Sequence, residues 1–145
     1  MYKRILLAYD GSEAGQKALL DCHEIAQWSH ADLTLIAVMP VPLSILGAEG
    51  GVYHSTLEAS EKKHGREVLE TGVRKLADAG LSVRGEVILG EAVSEICRCA
   101  RRIEADLIVV GHQHLDGWAA RWWRGSISQS LIEEAPCSVL MVITR

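Results

Sequence analysis

No apolar run in these 145 residues approaches the roughly 20 needed to cross a bilayer. The opening MYKRILLAYDGS has too short an apolar core for a secretory signal, so a cytoplasmic chain without membrane insertion is expected. Positive charge is scarce as well. With a formal net charge of −4 and no clustered basic face, a nucleic-acid partner is not expected. The four cysteines form no C-x-x-C: Cys97 and Cys99 are two positions apart, which on a helix is about 200° of rotation. Buried, reduced thiols are expected of Cys22, Cys97, Cys99 and Cys137, not a disulfide framework. There is no Walker lysine either, because GSISQ stands where a phosphate loop would carry G-K-[ST]. A second domain has no room at this length, and residues 1–145 are expected to form one domain burying about 70% of its unfolded surface.

What is present alternates in period. Lys3 to Tyr9 is a continuous apolar run before Asp10-Gly11-Ser12, which predicts a strand buried on both faces and then a turn. Ala14, Ala18, Cys22, Ile25 and Ala26 recur at helical spacing over about Ser12 to Ser29. Leu33 to Val38 is a second strand. Met39 to Val52 holds two of the three prolines and three glycines and predicts one long loop, leaving a strand on the side where ligands sit. Its other reading is a connection that packs Leu43, Ile45 and Leu46 onto the body. A helix over about Tyr53 to Ala79 follows, with Val68, Leu69, Val73 and Leu76 on one side, Gly65 and Gly72 weakening it, and Gly80 as its stop.

The second half repeats the alternation: a strand over Leu81 to Leu89 with Gly85 read as a bulge, then a helix carrying Val93, Ile96, Cys99, Ala100 and Ile103. Leu107 to Val110, Ser126 to Ala135 and Ser138 to Ile143 are strand, helix and strand. Five strands and four helices in alternation imply an α/β fold around a mostly parallel sheet. The final run SVLMVI is apolar after its serine, and an uncovered edge of that kind needs a neighbour or a second copy.

In an open α/β sheet, ligands lie past the carboxyl ends of strands, where a helix start offers unpaired N–H groups to an anion. Gly111 and Gly125-Ser126 stand where such a site would be. Ser126 has a second reading, since Ser126 and Gln129 fit a capping box that satisfies the helix start. Asp10 likewise either meets a ligand or caps the helix after it. His112 and His114, with Asp116 nearby, lack a well-spaced third and fourth metal ligand. Trp118, Trp122 and Trp123, three of the four tryptophans, are interleaved with Arg121 and Arg124. They read as loop packing, or as a lid whose arginines reach phosphate and whose indoles cover a base or a partner.

Three stretches carry a resemblance: ILLAYDGSEAGQKAL (Ile5 to Leu19), ADLIVVGHQH (Ala105 to His114) and RGSISQSLIEEAPCSVLMV (Arg124 to Val142). Over essentially its whole length the chain resembles the universal stress protein, or UspA-like, family. The resemblance implies a Rossmann-like five-stranded sheet in the order 3-2-1-4-5 with helices on both faces, and a homodimer joined through the last strand, Val139 to Ile143. It also implies an adenine-nucleotide site of the ATP type between strands 1 and 4. There Asp10 matches the acidic residue at the adenine and ribose end, Val38 matches the apolar residue bordering the base, and Val110 precedes the glycine motif. That motif, G-x-x-G followed after nine residues by G-[ST], is matched by Gly111, Gly125 and Ser126, with Ile127 next in line. The sequence departs from it at His114, which replaces the second glycine, and by ten intervening residues in place of nine. Either the imidazole blocks phosphate or the longer loop lets Gly117 take over. The function implied is a stress-response dimer that acts by binding and not by catalysis, with an unidentified protein partner. The alternatives are an interaction protein that no longer binds nucleotide, and a slow ATP hydrolase using Asp10 and Asp116.

Overall fold

The computed structural model describes residues 1–11, 13–39, 51–113 and 126–144, of which 13, 14, 51–58, 112, 113, 126–128 and 144 by backbone alone. Five strands form one all-parallel sheet: β1 (Arg4–Ala8), β2 (Asp32–Met39), β3 (Val83–Leu89), β4 (Leu107–Gln113) and β5 (Ser138–Thr144). Their order is β3-β2-β1-β4-β5, the Rossmann-like arrangement that the sequence implied. The helices are α1 (Glu13–Ser29), α2 (Gly51–Asp78), α3 (Ala92–Ile103) and α4 (Ser126–Glu134).

Alternation of side chains along the strands divides the core in two. Ile5, Leu7, Leu33, Leu35, Leu107 and Val109 point into the layer shared with α1 and α2. Leu6, Ala8, Ile36, Ile108 and Val110 point into the layer with α3 and α4, where Val93, Ile96 and Leu131 meet them. A central strand covered on both faces must be apolar at every position, which is why ILLA carries no polar residue.

Gly85 is not a bulge, because the β2–β3 register runs unbroken from Leu33↔Val83 through Leu35↔Gly85 to Met39↔Leu89. It is glycine because α2 lies close: a Cβ there would stand 3.0 Å from Leu69 Cδ2 and 3.1 Å from Val73 Cγ2. β4 is longer than expected, running to Gln113. Its last residues have lost β1 as a neighbour but still pair with β5 through Gly111↔Val142, His112↔Ile143 and Gln113↔Thr144. Cys97 is buried as well as Cys99, at 1% and 2% exposure, because α3 meets the sheet on one side and the α4 layer on the other. The expected loop over Met39 to Val52 lies mostly outside the described residues, with Met39 closing β2 and Gly51 opening α2.

Helix ends are secured locally. Gly80 stops α2 with φ +87°, as the sequence indicated, while His30 and Glu104 adopt the same left-handed backbone after α1 and α3. At the other end of α3, Glu91 is the N-cap, its carboxylate accepting from Val93 N at 3.0 Å and Ser94 N at 2.8 Å. Partial burial, the largest single influence, raises the Glu91 carboxyl pKa, but the bonds from Ser94 and Val93 together outweigh it and hold the carboxyl below its usual 4.5. A depressed folded-state value means that this contribution is present above the unfolded-state value and is lost as the pH falls through the folded one. Glu91→Ala is therefore expected to cost about 1 kcal/mol at neutral pH. In urea titrations the gap to the native protein should narrow below about pH 4.5, and a gap that widened on acidification would contradict this cap.

Candidate functional site

The order β3-β2-β1-β4-β5 turns at β1. From β1 the chain leaves through α1 toward β2, on one face of the sheet, and from β3 it returns through α3 to β4, on the other. β1 is thus followed by α1 on one face and β4 by α4 on the other, the divergence that marks the usual ligand position of an open α/β sheet. Ala8 lies directly beside Val110 in the parallel register. Asp10 and Gly111 thus leave neighbouring strands on the same edge of the sheet.

The expected site residues meet different circumstances. Asp10 is exposed just past β1, and Val110 is 2% exposed at the carboxyl half of β4. Val38 is half-buried one residue before the end of β2, packed against the same core layer as Val110. Gly111 is inside β4, half-buried, with β5 on one side only. Ser126 and Ile127 form the first turn of α4, known here by backbone. His114 and Gly125 lie outside the described residues, together with Gly117 and the segment bearing Trp118, Trp122, Trp123, Arg121 and Arg124. So does the arrangement of His114 and Asp116 that a metal would need. Among the described residues no group of three or more His, Cys, Asp and Glu side chains could hold a metal ion. The side chain of Ser126, on which the capping-box reading turns, lies outside the described residues; Gln129 donates from Nε2 to Glu133 Oε1 at 3.1 Å, forward along α4.

Sequence reasoning missed the support beneath Asp10. Tyr9 extends the ladder one residue, donating its N–H to Ile36 O at 2.8 Å, and its ring is 2% exposed. Its hydroxyl accepts from Gln16 Nε2 at 2.6 Å, and Gln16 Oε1 accepts from Lys75 Nζ on α2. Burial, and after it the negative charge of Asp10, pushes the Tyr9 phenol up, so it stays neutral at physiological pH. The signal available was a lone tyrosine ending an aliphatic strand.

A cleft of about 600 Å³ lies elsewhere, at the amino ends of β1, β2 and β3, with Arg4, Asp32, Thr34, Arg84, Glu86 and Arg102 on its walls. We place no ligand there. Arg102 is engaged with Glu86 at two points and Arg4 with Glu104, and the cleft is at the opposite end of the strands from the switch point. All four cysteines are free, and burial pushes the Cys22 thiol up to about 12 and raises Cys97 and Cys137, which disfavours the nucleophilic thiolate at these three. No helix among the described residues is long and apolar enough to cross a membrane.

A doubly wound parallel sheet in the order β3-β2-β1-β4-β5, with its switch point between β1 and β4, defines a Rossmann-like fold. Comparison with known proteins narrows the class. The profile of the Universal stress protein family matches residues 1–142, and the chain belongs to that family. A universal stress protein of Thermus aquaticus is 36% identical over 148 aligned positions, covering 98% of this chain and 99% of its own. A crystal structure of a family protein from Burkholderia pseudomallei superposes with a TM-score of 0.77 at 28% identity, over 97% of this chain and 96% of that one. A family protein from Arabidopsis thaliana, solved with AMP bound, has the same fold at a TM-score of 0.72 and 19% identity, over 99% of this chain and 92% of its own.

Proposed function

We propose that this universal stress protein binds an adenine nucleotide of the ATP type at the β1/β4 switch point and acts by binding, without catalysis, as a cytoplasmic homodimer. The observation that carries the reading is the pairing of Ala8 with Val110, which sets Asp10 and Gly111 on adjacent strand ends with the start of α4 following from β4. Asp10 serves the ribose hydroxyls, Val38 and Val110 border the base, and Gly111, His114, Gly125, Ser126 and Ile127 line the phosphate path. Structures of the same fold hold AMP, cAMP and dAMP, which supports an adenine nucleotide as the ligand class. For the dimer, the support is the outer edge of β5, which pairs with no further strand among the described residues and where Ile143 is 51% exposed next to the apolar run Val139 to Met141. Bound ligand favours one arrangement of the surrounding loops, which a partner protein reads through its differential affinity for the two arrangements.

A second reading, an interaction protein without nucleotide, draws its support from His114 in place of glycine. One experiment separates the two. The purified protein is denatured, any released nucleotide is identified by chromatography, and the emptied, refolded protein is titrated with ATP by calorimetry. The first reading expects adenine nucleotide, unhydrolysed, and an affinity that falls at least about tenfold in Gly125→Val, whose side chain enters the phosphate path. A folded protein that ignores ATP, AMP and cAMP establishes the second. Unchanged affinity in Gly125→Val removes the glycine motif from the site.

A further inference from the structure

The turn carrying Asp10 is attached to α2 at three consecutive levels. At the top, Gly11 faces Val68, close enough that a Cβ on the glycine would stand 3.4 Å from Val68 Cγ1. One helical turn further along α2, Gly72 faces the Tyr9 ring, its own missing Cβ being 2.9 Å from Tyr9 Cε1. Below that, Lys75 donates to Gln16, which in turn donates to the Tyr9 hydroxyl. Positions 68, 72 and 75 are spaced by four and three, so all three contacts come from one stripe of the helix.

The polar contacts have only one consistent orientation. An ammonium group can only donate, so Gln16 must turn its oxygen to Lys75 and its NH2 group to the tyrosine. The buried phenol then has the partner that burial requires. Among the described residues Gln16 is the one joined to both, and it belongs to α1, the helix that the Asp10 turn leads into.

We propose that Gln16 is a positioning residue for the switch-point site: by bridging Lys75 of α2 to Tyr9, the residue that follows β1, it fixes the turn that presents Asp10. Its consequence for ligand rests on the nucleotide reading above, whereas its consequence for the turn does not.

The test uses Gln16→Leu, which keeps the volume and loses both bonds, and Gln16→Glu, which keeps both because its carboxylate accepts from Lys75 while the tyrosine hydroxyl turns round and donates. Amide exchange followed by NMR at Tyr9 and Lys17 reads the turn without ligand, with Val109 in β4 as the reference. In Gln16→Leu, exchange at Tyr9 and Lys17 is expected to rise about tenfold relative to Val109, and in Gln16→Glu to return to the native value. ATP calorimetry should then show affinity reduced about tenfold in Gln16→Leu and restored in Gln16→Glu. Equal exchange in the native protein and Gln16→Leu overturns the proposal. A native protein that binds no nucleotide but shows the exchange pattern overturns the nucleotide reading alone. Should Gln16→Leu fail to fold, Lys75→Met, altered at the exposed end of the bridge, reports on the same amides with the same decision.

Discussion

Replacing Gly72 by alanine is expected to lower the unfolding free energy by about 1–3 kcal/mol. Helix propensity alone argues the other way, for a gain of roughly 1 kcal/mol from removing a glycine inside a 28-residue helix. The deciding quantity is distance: the added methyl would stand 2.8 Å from Leu35 Cδ2, 2.9 Å from Tyr9 Cε1 and 3.0 Å from Tyr9 Cδ1. Neither neighbour has room to retreat. Leu35 is fully buried in the middle of β2, and the Tyr9 ring, 2% exposed, is held at its hydroxyl by Gln16. Gly65→Ala is the comparison, because its contacts are Val87 at 2.8 Å and Met39 at 3.0 Å, and a methionine side chain adapts more readily. Urea unfolding should therefore rank the native protein first, Gly65→Ala second and Gly72→Ala third, with little change in the denaturant slope. A Gly72→Ala protein at least as stable as the native one would mean that the α2–β2 spacing is wrong.

The same glycines mark a boundary in what the sequence makes legible. Read along the chain, Gly65 and Gly72 weaken a helix, and Gly85 suggests a bulge. Packed, Gly65 and Gly72 are places where α2 and the sheet approach more closely than a Cβ allows, and Gly85 is one where a Cβ would be tight. Periodicity reports which face of an element is apolar, and it placed Val68, Leu69, Val73 and Leu76 correctly on the buried side of α2. It carries no information on interlayer distance, so a glycine required by a neighbour looks like a propensity defect. The over-short reading of β4 has a related cause. Gly111 and the polar residues after it look like a strand end, yet β5 continues to pair with them after β1 has stopped.

For the candidate site, Asp10 and Gly111 stand out in the sequence because each is a local signal, an acidic residue or a glycine after an apolar run, and the fold sets them at the carboxyl side of neighbouring strands. Which strands bring them together was not available from periodicity and came from the resemblance to a known fold. Tyr9, Gln16 and Lys75 could not have been grouped from spacing: Lys75 lies 59 positions from Gln16, and only the packing of α1 beside α2 joins them. Glu91 shows the limit at short range. Glutamate is an uncommon N-cap, and two backbone bonds to one carboxylate become apparent only in the folded turn.

Asp106→Asn is expected to cost about 2 kcal/mol, although the residue sits at a strand boundary with its side chain only partly covered. Its two carboxylate oxygens accept from consecutive backbone amides, Oδ2 from Lys3 N at 2.7 Å and Oδ1 from Arg4 N at 3.0 Å. Its own N–H donates to Arg4 O at 2.9 Å. The carboxylate thus stands in for a neighbouring strand at the point where β1 begins, before the β1–β4 ladder starts at Ile5↔Leu107. An asparagine in the same place can accept from one of the two amides, while its NH2 group is directed at the other, donor against donor. Glu104→Gln is the control that separates this clamp from simple loss of charge. It removes the nearby ion pair to Arg4, whose partners are 49% and 77% exposed, and should change stability by less than about 0.5 kcal/mol. The two variants, compared by urea unfolding and by amide exchange at Lys3 and Arg4, should differ in both readouts. If Asp106→Asn and Glu104→Gln were equally mild, water would be replacing the carboxylate, and the start of the central strand would owe its position to the Leu6 and Ile5 packing alone.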